Sequence, residues 1–246
     1  MNSPSLAHNL SAAPVAIGSL LLLLLLVAHT AEAQLDGLGA ELSASYSLKP
    51  WRGADLQLGE KARWAGESLA YSQSKTSAVV QQRLLARPLS LYDLRLRVGG
   101  GYTFINRLNT SHTHYYENQH RAMLQASLAH SRGFWRFAAR VRFQSTFRDE
   151  SRGSYRYNPK LALRTRISAT YALPDHPWKF SAHAELFYRA NDPRGAFADE
   201  WRATLEATHL LNRRSSITFY GKYFQEMQVA APQNMLCLGL RYDFAR

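Results

Sequence analysis

The stretch FWRFAARVRFQSTFR, residues 134–148, sorts its side chains by parity. The even positions include Arg136, Arg140, Arg142, Gln144 and Arg148, and the odd ones Trp135, Phe137, Ala139, Val141, Phe143 and Phe147. Side chains of a β-strand alternate between two faces with period two, so this is one strand with a cationic face and an apolar face. A half-buried strand of a soluble sheet would turn its apolar face inward and leave the arginines in water. A transmembrane barrel inverts that order, with apolar residues toward lipid and polar ones toward the lumen. One strand fits both architectures, so the rest of the chain has to choose.

The alternation recurs almost to the end. It runs through 38–48, 54–64, 94–104, 121–128, 161–171, 178–188, 201–207, 217–223 and 236–244 as well as the opening stretch. Many of these segments exceed the soluble-strand mean of about 5–6 residues. They approach the length of about 9–11 that a tilted membrane strand needs. Short connections, SRG at 131–133, PDHP at 174–177 and NRRS at 212–215, alternate with longer polar ones at 106–116, 149–158, 190–199 and 226–233. Short periplasmic turns alternating with longer outer loops are the outer-membrane pattern. Trp135, Phe147, Tyr171, Trp178, Tyr188, Trp201, Tyr242 and Phe244 fall near strand ends on the apolar parity, where interfacial girdles form. A soluble β-sandwich with aromatic core residues is the competing architecture, and it has less use for strands this long.

The expected fold is therefore all-β, an antiparallel transmembrane β-barrel. The segment Ala54–Trp64 follows a KPWRG turn, whereas 65–88 is ambiguous. Within it, SAVVQQRLLA at 77–86 has apolar pairs spaced like a short helix and also reads as a strand. Single-chain bacterial barrels have even strand numbers, so ten strands is the simplest count and twelve the alternative.

Residues 15–28, VAIGSLLLLLLLVA, form an apolar run of leader length that is short for a membrane-spanning helix. A small-x-small site, AEA at Ala31–Ala33, follows it. Residues 1–33 are thus expected to be a cleaved signal peptide and 34–246 the barrel. A retained anchor is the alternative, since Met1 to Asn9 carry no Lys or Arg. The lone Cys237 excludes an intrachain disulfide framework. The chain has 30 Lys and Arg against 18 Asp and Glu, a formal charge of +12. For an exported chain that surplus points to lipid headgroups or anionic solutes rather than nucleic acid.

The segments ENQHRAMLQASLAH (117–130), FWRFAARVRFQSTFRDE (134–150), YRYNPKLALRTRISATYAL (155–173) and SAHAELFYRANDPRGAFADEWRATLEATHLLNRRSSITFYGKYFQ (181–225) occur in this order. Together they resemble the bacterial outer-membrane proteins grouped as domain of unknown function 2490. The resemblance is good from Leu94 to Phe244 and looser before it. It implies an outer-membrane barrel and supplies no activity.

The lumen is the candidate site. On this register its bases include Arg95, Arg97, Arg121, Arg136, Arg140, Arg142, Arg148, Arg164, Arg166, Arg202, Lys222 and Arg241. Its acids include Glu41, Glu117, Glu185, Glu206 and Asp243. Two readings follow. Arginine and carboxylate pair well in bidentate geometry, so the lumen can be a packed ion-pair network closing a structural barrel. Alternatively, the surplus of bases lines a narrow anion-selective path.

A hydrolase is a third reading. NTSHTHYYE at 109–117 offers Ser111, His112, His114 and Glu117 in one loop, but adjacency does not make a nucleophile–base pair. His112 and His114 are too few for a specific metal site. The glycines at 99–101 lack a following Gly-Lys-Ser/Thr, so they mark a bend or close packing rather than a phosphate loop. Cys237 falls on the lumen parity and is expected to be buried and inert. The expectation is a non-enzymatic monomer in the outer membrane of a Gram-negative bacterium, without cofactor. Its partners would be outer-membrane lipids, the outer-membrane assembly machinery and small anionic solutes.

Overall fold

A computed structural model describes residues 37–65, 70–84, 93–109, 115–150, 158–192, 195–227 and 234–246. The expected leader, residues 1–33, lies outside them. The regular structure of the described residues is entirely β. The strands are β1 (Gly37–Leu48), β2 (Ala54–Ala65), β3 (Ala70–Leu84), β4 (Leu94–Asn109), β5 (Tyr115–Arg132) and β6 (Trp135–Arg148). Beyond these come β7 (Lys160–Ala172), β8 (Trp178–Arg189), β9 (Phe197–Leu210), β10 (Ser215–Glu226) and β11 (Asn234–Ala245). Each strand pairs antiparallel with its neighbour in the chain, and β1 closes the barrel on β11.

The expectation of ten strands, or of twelve, does not hold: the described residues form eleven. The extra strand is β3, which occupies the ambiguous segment. Its apolar neighbours Val79 and Val80 mimic helical spacing, yet they split between the two faces. Val79 is buried inside and Val80 is exposed outside. Parity fails because β1 and β11 pair parallel, with Gly37 opposite Met235 and Ser47 opposite Ala245. Gly37 therefore sits at the same end of the barrel as the start of β11, and the end of β11 sits at the other.

The strand ends that flank 66–69, 110–114, 149–159, 190–196 and 227–233 lie at one end of the barrel, called here the loop end. The remaining strand ends lie at the turn end. The tightest connection there is the pair Gly133–Phe134 between β5 and β6, where Gly133 has φ +58°. A positive φ at the first central position alone is the type II′ hairpin, which suits the right-handed strand twist and favours glycine there.

Parity is obeyed around the barrel. Leu42, Leu124, Phe137, Val141, Phe143, Ile167, Phe219, Leu238 and Tyr242 are large apolar side chains exposed on the outer face. Aromatic pairs sit near strand ends on that face. They include Trp135 beside Tyr171 with ring centroids 4.9 Å apart, and Trp178 beside His209 at 4.7 Å. Glu60 departs from the rule. Its register with Ala44 and Thr76 puts it on the outer face, where it is exposed. The glycines of 99–101 allow close packing. A Cβ on Gly101 would come within 2.8 Å of both the Ala78 carbonyl and the Met123 methyl.

Candidate functional site

The inner face is crowded at mid-barrel and emptier toward both ends. The crowding begins with Glu41 on β1, whose side chain is fully buried. Its Oε1 accepts from Arg63 Nε at 2.8 Å and Nη2 at 2.5 Å. Its Oε2 accepts from the Tyr220 hydroxyl at 2.9 Å and Lys222 Nζ at 2.6 Å, and also pairs with Lys61. The register brings these groups together, since Arg63 on β2 faces Glu41 directly. On β10, Tyr220 faces Gly239, which is in turn the parallel neighbour of Glu41. Gly239 has to lack a side chain, because a Cβ there would enter the Tyr220 ring.

A second carboxylate with three cations lies on β6, β7 and β8. Glu185 pairs with Arg140 at 2.9 Å, with Arg166 at 3.7 Å and with Arg164. Arg142, beside them on β6, donates to Gln125 Oε1 at 3.0 and 2.6 Å. Gln125, Met123, Thr204 and Cys237 on the inner face are also buried, so side chains fill the interior at this height. We refer to this layer as the waist. A buried carboxylate is tolerable only when charge partners and hydrogen bonds replace its water, and Glu41 and Glu185 each have three cations to do so.

Below the waist, a cavity of about 580 Å³ at the turn end is lined by Arg166, His183, Glu206, Arg241 and Asp243 among others. Arg241 binds Glu206 at 3.2 Å and Asp243 at 2.9 Å. Arg97 pairs with Asp55 at 2.9 Å, Arg95 lies 3.9 Å from Asp93, and Arg136 is exposed on the inner face at this same end.

Above the waist the balance changes. A cavity of about 440 Å³ at the loop end is lined, among the described residues, by eight cations and two carboxylates, Asp199 and Glu200. The cations are Arg63, Lys75, Arg107, Arg121, Arg148, Lys160, Arg164 and Arg202. Several have carboxylate partners: Arg63 with Glu41, Arg164 with Glu185, Lys160 with Asp199, and Arg202 with Glu200. Aromatic rings also hold some guanidinium groups in place. Arg202 lies 4.1 Å from the Phe187 centroid and 4.6 Å from that of Phe224; Arg164 lies 4.5 Å from Phe187 and Arg63 4.9 Å from Phe224. Lys75, Arg107 and Arg121 form no ion pair among the described residues. Arg121 donates to Thr146 Oγ1 at 2.9 Å. Glu117, buried across β4–β5 from Arg107, leaves its Oε1 without a hydrogen-bond partner.

A family described as protein of unknown function (DUF2490) matches residues 44–235, most of the chain. The chain belongs to the DUF2490 family. No curated protein matches this DUF2490 chain. Among solved structures it is similar to the outer-membrane expressed OmpT of Vibrio cholerae, at 15% identity and a TM-score of 0.40. That similarity covers 70% of this chain and 54% of OmpT, so the chain spans about half of that protein. It is also similar to the anion-selective porin from Comamonas acidovorans, at 6% identity and a TM-score of 0.32, over 78% of this chain and 82% of the porin.

Of the residues singled out from the DUF2490 sequence, Arg140, Arg164, Arg166 and Glu185 come together at the waist, and Arg241 and Glu206 below it. Arg121 and Arg202 line the upper cavity, with Arg142 and Glu117 inside the wall nearby. Arg95, Arg97 and Arg136 are apart, at the turn end. Ser111, His112 and His114 lie outside the described residues. Sequence reasoning missed Lys61, Arg63, Lys75 and Arg107. Lys61 and Arg63 share the parity of Gln57 and Gly59 in β2, a usable signal blurred by Glu60 on the opposite face. Lys75 falls in the ambiguous segment, and Arg107 in a stretch read as loop that instead extends β4.

Proposed function

We propose that this protein is an outer-membrane barrel of a Gram-negative bacterium whose lumen admits small anions from the loop end, and that it is not an enzyme. One observation carries the reading: many large apolar side chains are exposed on the outer face, while among the described residues eight cations and two carboxylates line the upper cavity. An apolar outer face suits lipid, where an Arg or Lys at mid-bilayer would cost about 2–4 kcal/mol. A cationic interior attracts anions and repels cations by simple electrostatics. In this reading the outer lipids and the outer-membrane assembly machinery are the partners, the protein is a monomer, and the loop end faces outside.

The packed waist favours a second reading, a closed structural barrel whose ion pairs only hold it together. Purified full-length protein in planar bilayers under a potassium chloride gradient separates the two. Small conductance steps with a reversal potential toward that of chloride support anion passage. A silent bilayer with correctly folded protein supports the closed barrel, and cation selectivity rules out the anion reading.

A further inference from the structure

The upper cavity contains more than a general positive potential. Its cations differ in their partners. Arg63, Arg164, Lys160 and Arg202 pair with Glu41, Glu185, Asp199 and Glu200. Three of these four belong to guanidinium groups stacked on Phe187 or Phe224, which form a fixed floor and wall. Lys75, Arg107 and Arg121 are left without ion pairs, and they come from three successive strands, β3, β4 and β5. Lys75 is within electrostatic reach of Arg121, and Arg121 of Arg107. Holding like charges together costs free energy unless something bound offsets it. The neutral lining groups nearby, Gln73, Gln119, Gln144 and Thr146, add hydrogen-bonding capacity without adding negative charge.

The waist gives this cavity a floor. Buried Glu41, Gln125, Met123, Thr204 and Glu185 lie beneath it and narrow the lumen there. Its volume of about 440 Å³ is within the range of small-molecule sites, about 300–1,000 Å³. A single carboxylate is planar, carries one charge and is satisfied by one guanidinium fork. Three cations without ion pairs, from different strands, instead suit a group with oxygens pointing several ways and more than one charge.

We propose that the loop-end cavity is a binding site for a small solute carrying a tetrahedral oxyanion, phosphate or sulfate, held by Lys75, Arg107 and Arg121. It rests on the reading of the lumen as anion-admitting, and adds that the anion is retained rather than merely passed.

The test uses full-length protein folded in nanodiscs and titrated calorimetrically with inorganic phosphate, then sulfate, at constant ionic strength set with chloride. Expected is saturable binding of phosphate or sulfate that equal chloride does not reproduce; which of the two binds tighter identifies the source group. Loss of one charged hydrogen-bond donor costs about 1.5–3 kcal/mol, so Lys75→Gln and Arg121→Gln should each weaken binding by about tenfold or more. Lys75→Arg should retain binding, and Arg136→Gln at the turn end should change nothing. Binding no stronger than that of chloride overturns the proposal, as does unchanged affinity in a folded Lys75→Gln barrel. Should Lys75→Gln fail to fold, Arg121→Gln and Lys75→Arg decide the matter in the same way. Bilayer recordings keep the two ideas apart. An anion-selective barrel that ignores phosphate and sulfate refutes this site alone, whereas a silent barrel that binds them refutes passage alone.

Discussion

Replacing Glu41 by Gln tests the waist most directly. The side chain is fully buried and its two oxygens serve Arg63, Lys61, Lys222 and Tyr220. Glutamine keeps the shape but removes the charge. It also presents an NH₂ group to at least one side of a pocket that needs acceptors. Three cations then share a buried site with no carboxylate. Removing one partner of a buried ion pair costs about 3–5 kcal/mol, chiefly through the charge left uncompensated. Lys61, Arg63 and Lys222 retain side-chain exposures of 26%, 18% and 14%, so some water reaches them and the lower end applies. A loss of about 3 kcal/mol is a shift of roughly 100-fold in the folding equilibrium.

The assay is urea unfolding in lipid vesicles, followed by tryptophan fluorescence and by the folded band's gel mobility. The midpoint should fall clearly for Glu41→Gln and recover in part when Lys61→Met is added, because one of the stranded charges is then gone. An unchanged midpoint for Glu41→Gln would mean that the waist is wet and loosely held. A further loss with Lys61→Met would mean that packing, not charge balance, governs this layer.

Three other outcomes follow from the same geometry. Val141→Arg puts a cation on the outer face among Ala126 and Thr165; it should cost about 2–4 kcal/mol near mid-membrane and impair insertion into vesicles. Arg140→Leu, one residue away, should insert and change mainly the pairing of Glu185. Gly101→Ala should destabilise by about 1–3 kcal/mol in vesicle unfolding, because its Cβ meets the Ala78 carbonyl as well as the movable Met123 methyl. In intact cells, cysteines placed at Glu150 and at Gly37 should react with an impermeant thiol reagent, and one at Arg213 should not. Labelling of Glu150 but not Gly37 would break the shared end that parallel β1–β11 closure imposes.

Most of the fold was legible because it rests on period-two parity, which a sequence displays directly. The stretch around Arg140 and Val141 shows both faces without any neighbour. What parity cannot show is closure. The odd strand number depends on β1 meeting β11 in parallel, a long-range pairing that leaves no local mark. β3 was obscured for a local reason: Val79 and Val80 are both apolar, one packing inside against Gly101 and the other lying outside. The candidate site was half legible. Parity placed Arg121, Arg202 and Glu185 on one face of their strands but could not say which would be neutralised. Glu41 gathers cations from β2 and β10, which are far from it in sequence and adjacent only once the barrel closes.

The arrangement of charge along the lumen follows from where water can go. At the waist, where side chains exclude it, Glu41 and Glu185 are each surrounded by cations and hydrogen-bond donors. An unmatched charge at that height would bear its full desolvation cost. At the loop end, where a cavity remains, Lys75, Arg107 and Arg121 line it without ion pairs among the described residues. If the interior served only to fill space, the same strands could carry small apolar residues with less risk to folding. Gathering cations around the buried Glu41 and Glu185 ties the stability of the barrel to the waist, whereas Lys75, Arg107 and Arg121 line the loop-end cavity without ion pairs among the described residues.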